Sequence, residues 1–176
     1  MAGLVDVAPS DSGVPQDARL RKLLLRVGQL NYSWTNTESL LIHLIAGLAG
    51  VDKETATVIF LTLNTTRARV DLVERLAKLD RTSDEIRRDI LTVTRELSGK
   101  SALRNKYNHC IYSFDPQIGT LNTILMRISD RRGNIRYGKT EPVDEREMKN
   151  LEDAISGIQR LNLEIWDTIR KHGFPL

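Results

Sequence analysis

The stretch TSDEIRRDILTVTRELSGKSALRNKYNHC, Thr82 to Cys110, decides the fold. Ile86, Ile90, Val93 and Leu97 recur at steps of four and three, which is the spacing of one helical face. Continuing that line gives Ser101, Arg104 and Asn108. The predicted helix therefore carries an apolar stripe that turns polar at its far end. Thr82 and Glu85, three residues apart before the apolar run, read as a capping box opening it. Gly99 is a candidate kink just before the polar end.

Upstream, Leu20, Leu23, Leu24, Val27 and Leu30 predict a first helix, with NYSW breaking the pattern. A second is predicted over about Trp34 to Leu48, with Trp34, Leu41, Leu44, Ile45 and Leu48 on one face. Glu38 falls on that face, and a carboxylate there needs a partner or a place at the rim of the core. Asp52 is a candidate cap for a short helix through Phe60 and Leu63. Asn64 or Thr65 is a candidate cap for the next, whose stripe is Val70, Val73, Leu76 and Ala77.

Downstream the period changes. Ile124, Met126 and Ile128 alternate, as do Ile135 and Tyr137, and DRRGN lies between them. This predicts a β-hairpin over about 121–138. Asp144 with Glu147 reads as another cap. The closing helix then carries Met148, Leu151, Ile155, Ile158, Leu161, Ile165 and Ile169 in heptad-like steps. The fold class expected is mainly α: an up-and-down bundle of about five helices with a β-hairpin inserted before the last long helix.

Composition agrees with that class. In 176 residues, hydrophobic residues are 40%, charged residues 28% and aromatics only 5%, which favours helix packing over a sandwich or barrel. The length suits one domain, read as 18–176 behind an arm at 1–17. That arm, MAGLVDVAPSDSGVPQD, carries acids and prolines and lacks the basic and apolar regions of a secretory leader. Cys110 is the only cysteine, so no internal disulfide forms and a reducing cytoplasm is the expected setting. The apolar run from Leu40 to Val51 is too short to span a bilayer. A net charge of +3 and a pI near 9.1 permit RNA as a partner without requiring it.

The polar end of the long helix is the candidate site. Asn105 and His109 are four apart and share a face, so the amide could fix the imidazole's tautomer and tilt. Arg104 and Asn108 are likewise four apart. Arg104 and His109 stand roughly 140° apart around an ideal helix, bordering a common edge. An arginine fork suits phosphate and a histidine moves protons near neutral pH. Together they suit metal-independent cleavage of a phosphodiester by the adjacent ribose 2′-OH. That reaction wants two proton-transfer groups, and the chain has three histidines, His43, His109 and His172. A two-fold homodimer would bring a second His109 to one seam. The structural alternative is that Arg104 and His109 are cations serving the helix's C-terminal carbonyls.

RNKYNH, Arg104 to His109, resembles the arginine–polar–x3–histidine signature of the HEPN superfamily, helical bundles that are often dimeric and often ribonucleases of toxin–antitoxin or defence systems. The resemblance extends over roughly Leu20 to Lys171. It implies that Arg104 and His109 form the catalytic pair with Asn105 as the polar residue after the arginine, and that an antitoxin or other protein is a possible partner. Some members carry a tyrosine two residues after the histidine. Here Ile111 occupies that place and Tyr112 follows, so modification of that tyrosine by a nucleotidyltransferase is not implied. Other members are non-catalytic protein- or nucleotide-binding modules, which is the alternative function.

Supporting candidates are Glu38, which could orient Arg104, together with Asn108 and Tyr112. No cofactor or metal site is expected: HExxH and phosphate-binding loop motifs are absent. The hairpin's basic residues, Arg127, Arg131, Arg132, Arg136 and Lys139, allow two readings. They could bind an RNA backbone, or they could guard an exposed strand edge against pairing. His43 reads as a core or boundary histidine, His172 as solvated, Cys110 as a buried thiol, and Trp34 and Trp166 as packing residues.

Overall fold

The computed structural model describes residues 14–115, 120–131 and 134–176, excluding the side chains of 14–17, 127–131 and 134–137. The elements run α1 (Val14–Ser39), α2 (Leu41–Ala49), α3 (Lys53–Thr62), α4 (Thr66–Ala77), α5 (Asp84–Asn108), β1 (Cys110–Asp115), β2 (Thr120–Arg131), β3 (Asn134–Pro142) and α6 (Glu145–Lys171). The chain is mainly α, with a small antiparallel sheet inserted before the last long helix.

α6 follows the pattern of its sequence closely. Met148, Leu151, Ile155, Ile158, Leu161, Ile165 and Ile169 are all buried, and full burial of each such side chain contributes about 1.5–3 kcal/mol. This stripe packs against α1 and α5. Leu23, Leu30 and Trp34 from α1 and Ile90, Val93 and Leu97 from α5 complete the central core. α2 packs on α3 and α4, and α4 on α5.

The first two helices divide differently from the expectation. α1 runs unbroken through Asn31–Trp34 and ends at Ser39. Ser33 and Trp34 are buried and Thr37 hydrogen-bonds back to the Ser33 carbonyl at 2.8 Å, so tertiary packing holds NYSW helical despite its weak propensity. The break falls instead at Leu40, one residue before α2. Val14–Asp17, assigned from sequence to the arm, form the first turn of α1. Residues 1–13 of that arm lie outside the described residues.

The caps are mostly as expected. Asp52 accepts from the Thr55 N–H at 2.7 Å, Thr65 from Ala68 at 3.1 Å and Asp144 from Glu147 at 2.8 Å. The capping box at Thr82 does not form. Ser83 is the N-cap of α5, accepting from the Ile86 N–H, while the Thr82 hydroxyl donates to the Leu76 carbonyl. α5 continues without interruption through Gly99.

The inserted hairpin is the β2–β3 half of a three-stranded meander. β1 pairs with β2 from Cys110↔Leu125 to Asp115↔Thr120, and β2 with β3 from Asn122↔Pro142 to Arg131↔Asn134, with an irregularity between Leu125 and Ile128. The hairpin's tip, residues 132 and 133, lies outside the described residues. Tyr112 and Phe114 of β1 pack against the core, where Leu121 and Val143 are buried. β1 begins one residue after α5, so the candidate histidine stands at a helix-to-strand corner.

Candidate catalytic cleft

His109 is the C-cap of α5, with φ −120° and ψ 22°, and its backbone N–H donates to the Asn105 and Lys106 carbonyls. Its own carbonyl accepts from the Met126 N–H at 3.0 Å, which ties the corner to β2. The backbone is thus held from both sides. The imidazole is exposed and has no polar partner among the described residues.

A salt-bridged clamp fixes the end of α5 from behind. Tyr107 is buried and its hydroxyl donates to Glu147 at 2.8 Å. Lys106 pairs with both Glu147 and Glu141, and Lys139 pairs with Glu141 at 2.6 Å. Burial alone would raise the pKa of Glu147, but the hydrogen bonds from Lys106 and Tyr107 and the Lys106 charge outweigh it and lower it. The Lys139 and Lys106 hydrogen bonds bring Glu141 down to about 2. Tyr107 is pushed well up, first by burial and then by the adjacent Glu147 carboxylate, so its hydroxyl stays a donor.

The Tyr107 carbonyl accepts from the Tyr112 hydroxyl at 2.6 Å and from the Cys110 thiol at 3.6 Å. Strand residues therefore serve this C-terminal carbonyl. Arg104 and His109 do not spend their side chains on it.

Arg104, Asn105 and His109 instead line one cleft of about 630 Å3 between α4 and α5, together with Glu38 of α1 and the first turns of α4. Arg104 Nη1 donates to Asn105 Oδ1 at 3.0 Å, and the guanidinium carbon lies 5.5 Å from the Trp34 ring centre. Its Nε is buried with no hydrogen-bond partner, and a buried unpaired donor carries a desolvation cost. The Asn105 amide oxygen is thus directed to the arginine; the expected hydrogen bond to the imidazole is not present.

Glu38 has the partner that a carboxylate on an apolar face needs, in a structural ion pair rather than with Arg104. Trp34 Nε1 donates to its Oε2 at 3.2 Å, and Arg69 Nη1 pairs with its Oε1 at 3.0 Å. The Glu38 side chain is only 9% exposed, so this pairing is what allows its burial. Arg69 also donates from Nε to the Phe60 carbonyl and lies 4.0 Å over the Phe60 ring. Glu38 therefore shapes the cleft through Arg69, and Arg104 has no carboxylate partner among the described residues.

Asn108, exposed at the last position of α5, and Tyr112, turned onto the Tyr107 carbonyl, are not among the residues that line the cleft. His43 is a core histidine, its Nδ1 2.7 Å from the Pro175 carbonyl and its ring against Trp166. His172 is not solvated: its side chain is 7% exposed and Nε2 lies 3.0 Å from Asp89. Cys110 is half-buried. Of the basic residues of the sheet, Arg132 lies outside the described residues and the side chains of Arg127, Arg131 and Arg136 are not described. Lys139 is occupied by Glu141. Among the described residues, no three His, Cys, Asp or Glu side chains group so as to hold a metal ion, and no helix is long and apolar enough to cross a membrane.

Among the cleft residues that escaped the sequence reading are Arg67 and Arg69. A signal was present. The arginines stand two and four residues after the Thr65 cap, and α4 has no acid in its first turn. Helix N-termini disfavour cations, so NTTRAR is an anomaly that marks a place where anions are welcome. No family model, curated protein or solved structure matches the chain.

Proposed function

We propose that the chain is a HEPN-like, metal-independent endoribonuclease whose site is completed in a homodimer. The observation that carries this reading is the shared cleft: Arg104 and His109, which the helix spacing sets apart, both line it, and neither has a carboxylate partner among the described residues.

The chemistry follows from those groups. The ribose 2′-OH attacks the adjacent phosphorus, the bond to the 5′-oxygen breaks, and a 2′,3′-cyclic phosphate and a 5′-OH end result. Arg104, which lines the cleft, offers its guanidinium for charge developing on the phosphoryl oxygens. His109 takes the 2′-OH proton, and a second group must protonate the leaving oxygen. His43 and His172 are engaged elsewhere, and the raised pKa of Tyr107 leaves it a poor proton donor. The partner subunit's His109 is the group this mechanism assigns to that step. The cellular role that accords with it is an RNA-degrading toxin or defence effector, acting in the cytoplasm and held in check by a protein partner.

One observation favours a second reading, a non-catalytic binding module. Asn105 orients the arginine and leaves the imidazole without an orienting partner. Product chemistry separates the two. An RNA carrying a single 2′-deoxy substitution should be spared at that linkage and cut elsewhere to cyclic-phosphate and 5′-OH ends. Binding without any such products would establish the module.

A further inference from the structure

The cleft exceeds the needs of one phosphodiester. Its volume of about 630 Å3 is that of a site enclosing a whole small ligand, roughly 300–1,000 Å3, whereas Arg104 and His109 would engage a single phosphate. Three arginines and three carboxylates line it: Arg67, Arg69, Arg104, Glu38, Asp71 and Glu74. Formal charge therefore balances, and the pairing decides what is left over. Arg69 is committed to Glu38 at 3.0 Å. Glu74 faces Lys78 at 3.7 Å and accepts from the Thr94 hydroxyl at 3.0 Å. Asp71 meets Arg67 only at 3.9 Å, with the Arg67 side chain 90% exposed, a surface contact of little energetic weight. Two guanidinium groups thus remain open to an anion, Arg104 from α5 and Arg67 from α4, the two helices between which the cleft lies.

We infer that Arg67 is a second phosphate-binding residue of this cleft, so that the site takes a single RNA strand with two consecutive phosphodiesters. One lies at Arg104 and His109 and its neighbour at Arg67. The assignment rests on the RNA reading of the Arg104 end. Arg69, held by Glu38 and Phe60, positions the floor between them and is not itself spent on a phosphate.

The test uses the full chain and calorimetric titration at low salt. The ligands are two 2′-O-methyl oligonucleotides that cannot be cut, a dinucleotide with one phosphodiester and a trinucleotide with two. Wild type should bind the trinucleotide about tenfold more tightly, the scale of one charge-assisted phosphate contact. Arg67→Ala should abolish that advantage, Arg67→Lys should keep much of it, and Asp71→Asn should enlarge it by removing a negative charge from the cleft beside Arg67. The exposure of Arg67 makes the folding of these variants secure. An advantage unchanged in Arg67→Ala, with binding still lost in Arg104→Ala, overturns the second subsite and leaves the first intact. Failure of wild type to bind either oligonucleotide overturns both. Arg67-dependent binding by a protein that leaves unmodified RNA intact supports the subsite and removes the catalytic reading.

Discussion

Glu38 shows how one residue can be placed by sequence and explained only by contacts. Its position one turn after Trp34 marks it as a carboxylate on an apolar face. What keeps it there is Arg69, thirty-one residues away, together with the Trp34 indole. Glu38→Gln retains an acceptor for the indole and removes the charge that Arg69 requires. Loss of one partner from a buried pair costs about 3 kcal/mol, and urea unfolding should show a loss of that order. A change below about 0.5 kcal/mol would mean that Arg69 finds another partner. Gly47 makes a similar point about packing. A Cβ there would lie 2.2 Å from the Phe174 ring, so the chain's last aromatic seats on α2 only because position 47 has no side chain.

At the scale of elements, the helical half was legible and the strand after α5 was not. The stripes of α5 and α6 follow a period that packing satisfies directly, and both helices stand where that period puts them. β1 was hidden because Asn105 to His109 extends the helical spacing past the true end of α5. Yet Cys110, Tyr112 and Phe114 alternate, the signal of a half-buried strand. NYSW misled in the other direction, since weak local propensity yielded to burial of Ser33 and Trp34. The start of α5 tests the corrected cap. Ser83→Ala should cost about 1 kcal/mol of stability, measured by thermal or urea unfolding, and a neutral result would return the cap to Thr82.

The junction of α5, β3 and α6 also predicts an acid response. Glu147 and Glu141 titrate below their ordinary value of 4.5, Glu141 at about 2. A depressed folded-state pKa gives stability that is present above the unfolded value and lost as pH falls through the folded one. The window is therefore about pH 4.5 down to about 2. Wild type should be more stable than a Glu141→Gln, Glu147→Gln variant at pH 6, and the gap in midpoint temperature should close as pH drops through that window. A gap independent of pH would show that the ion pairs with Lys106 contribute nothing through charge.

For the whole molecule, the candidate site was half legible. The triplet Arg104, Asn105 and His109 stands out by residue type and spacing, and those residues do line one cleft. Arg67 and Arg69 come from another helix, and no local pattern joins α4 to α5; only the packing of the two helices does. The composite mechanism carries its own concentration dependence. The described chain brings one histidine to the cleft, so the proposed dimeric site predicts that specific activity falls on dilution into the monomer range, tracked in parallel by sedimentation. Activity that stays constant as the species becomes monomeric would place both proton transfers within one chain.

The most direct test of the central claim is single-turnover cleavage of one RNA by wild type and by His109→Ala at matched dimer concentration. His109 is exposed, and its side chain makes no polar contact among the described residues, so the substitution should leave helical content and unfolding midpoint unchanged. In a homodimer the substitution removes both proton-transfer groups of the composite site, which predicts a rate lower by at least about 10²–10⁴-fold. Equal rates from the two proteins would contradict the account and move the chemistry away from this cleft.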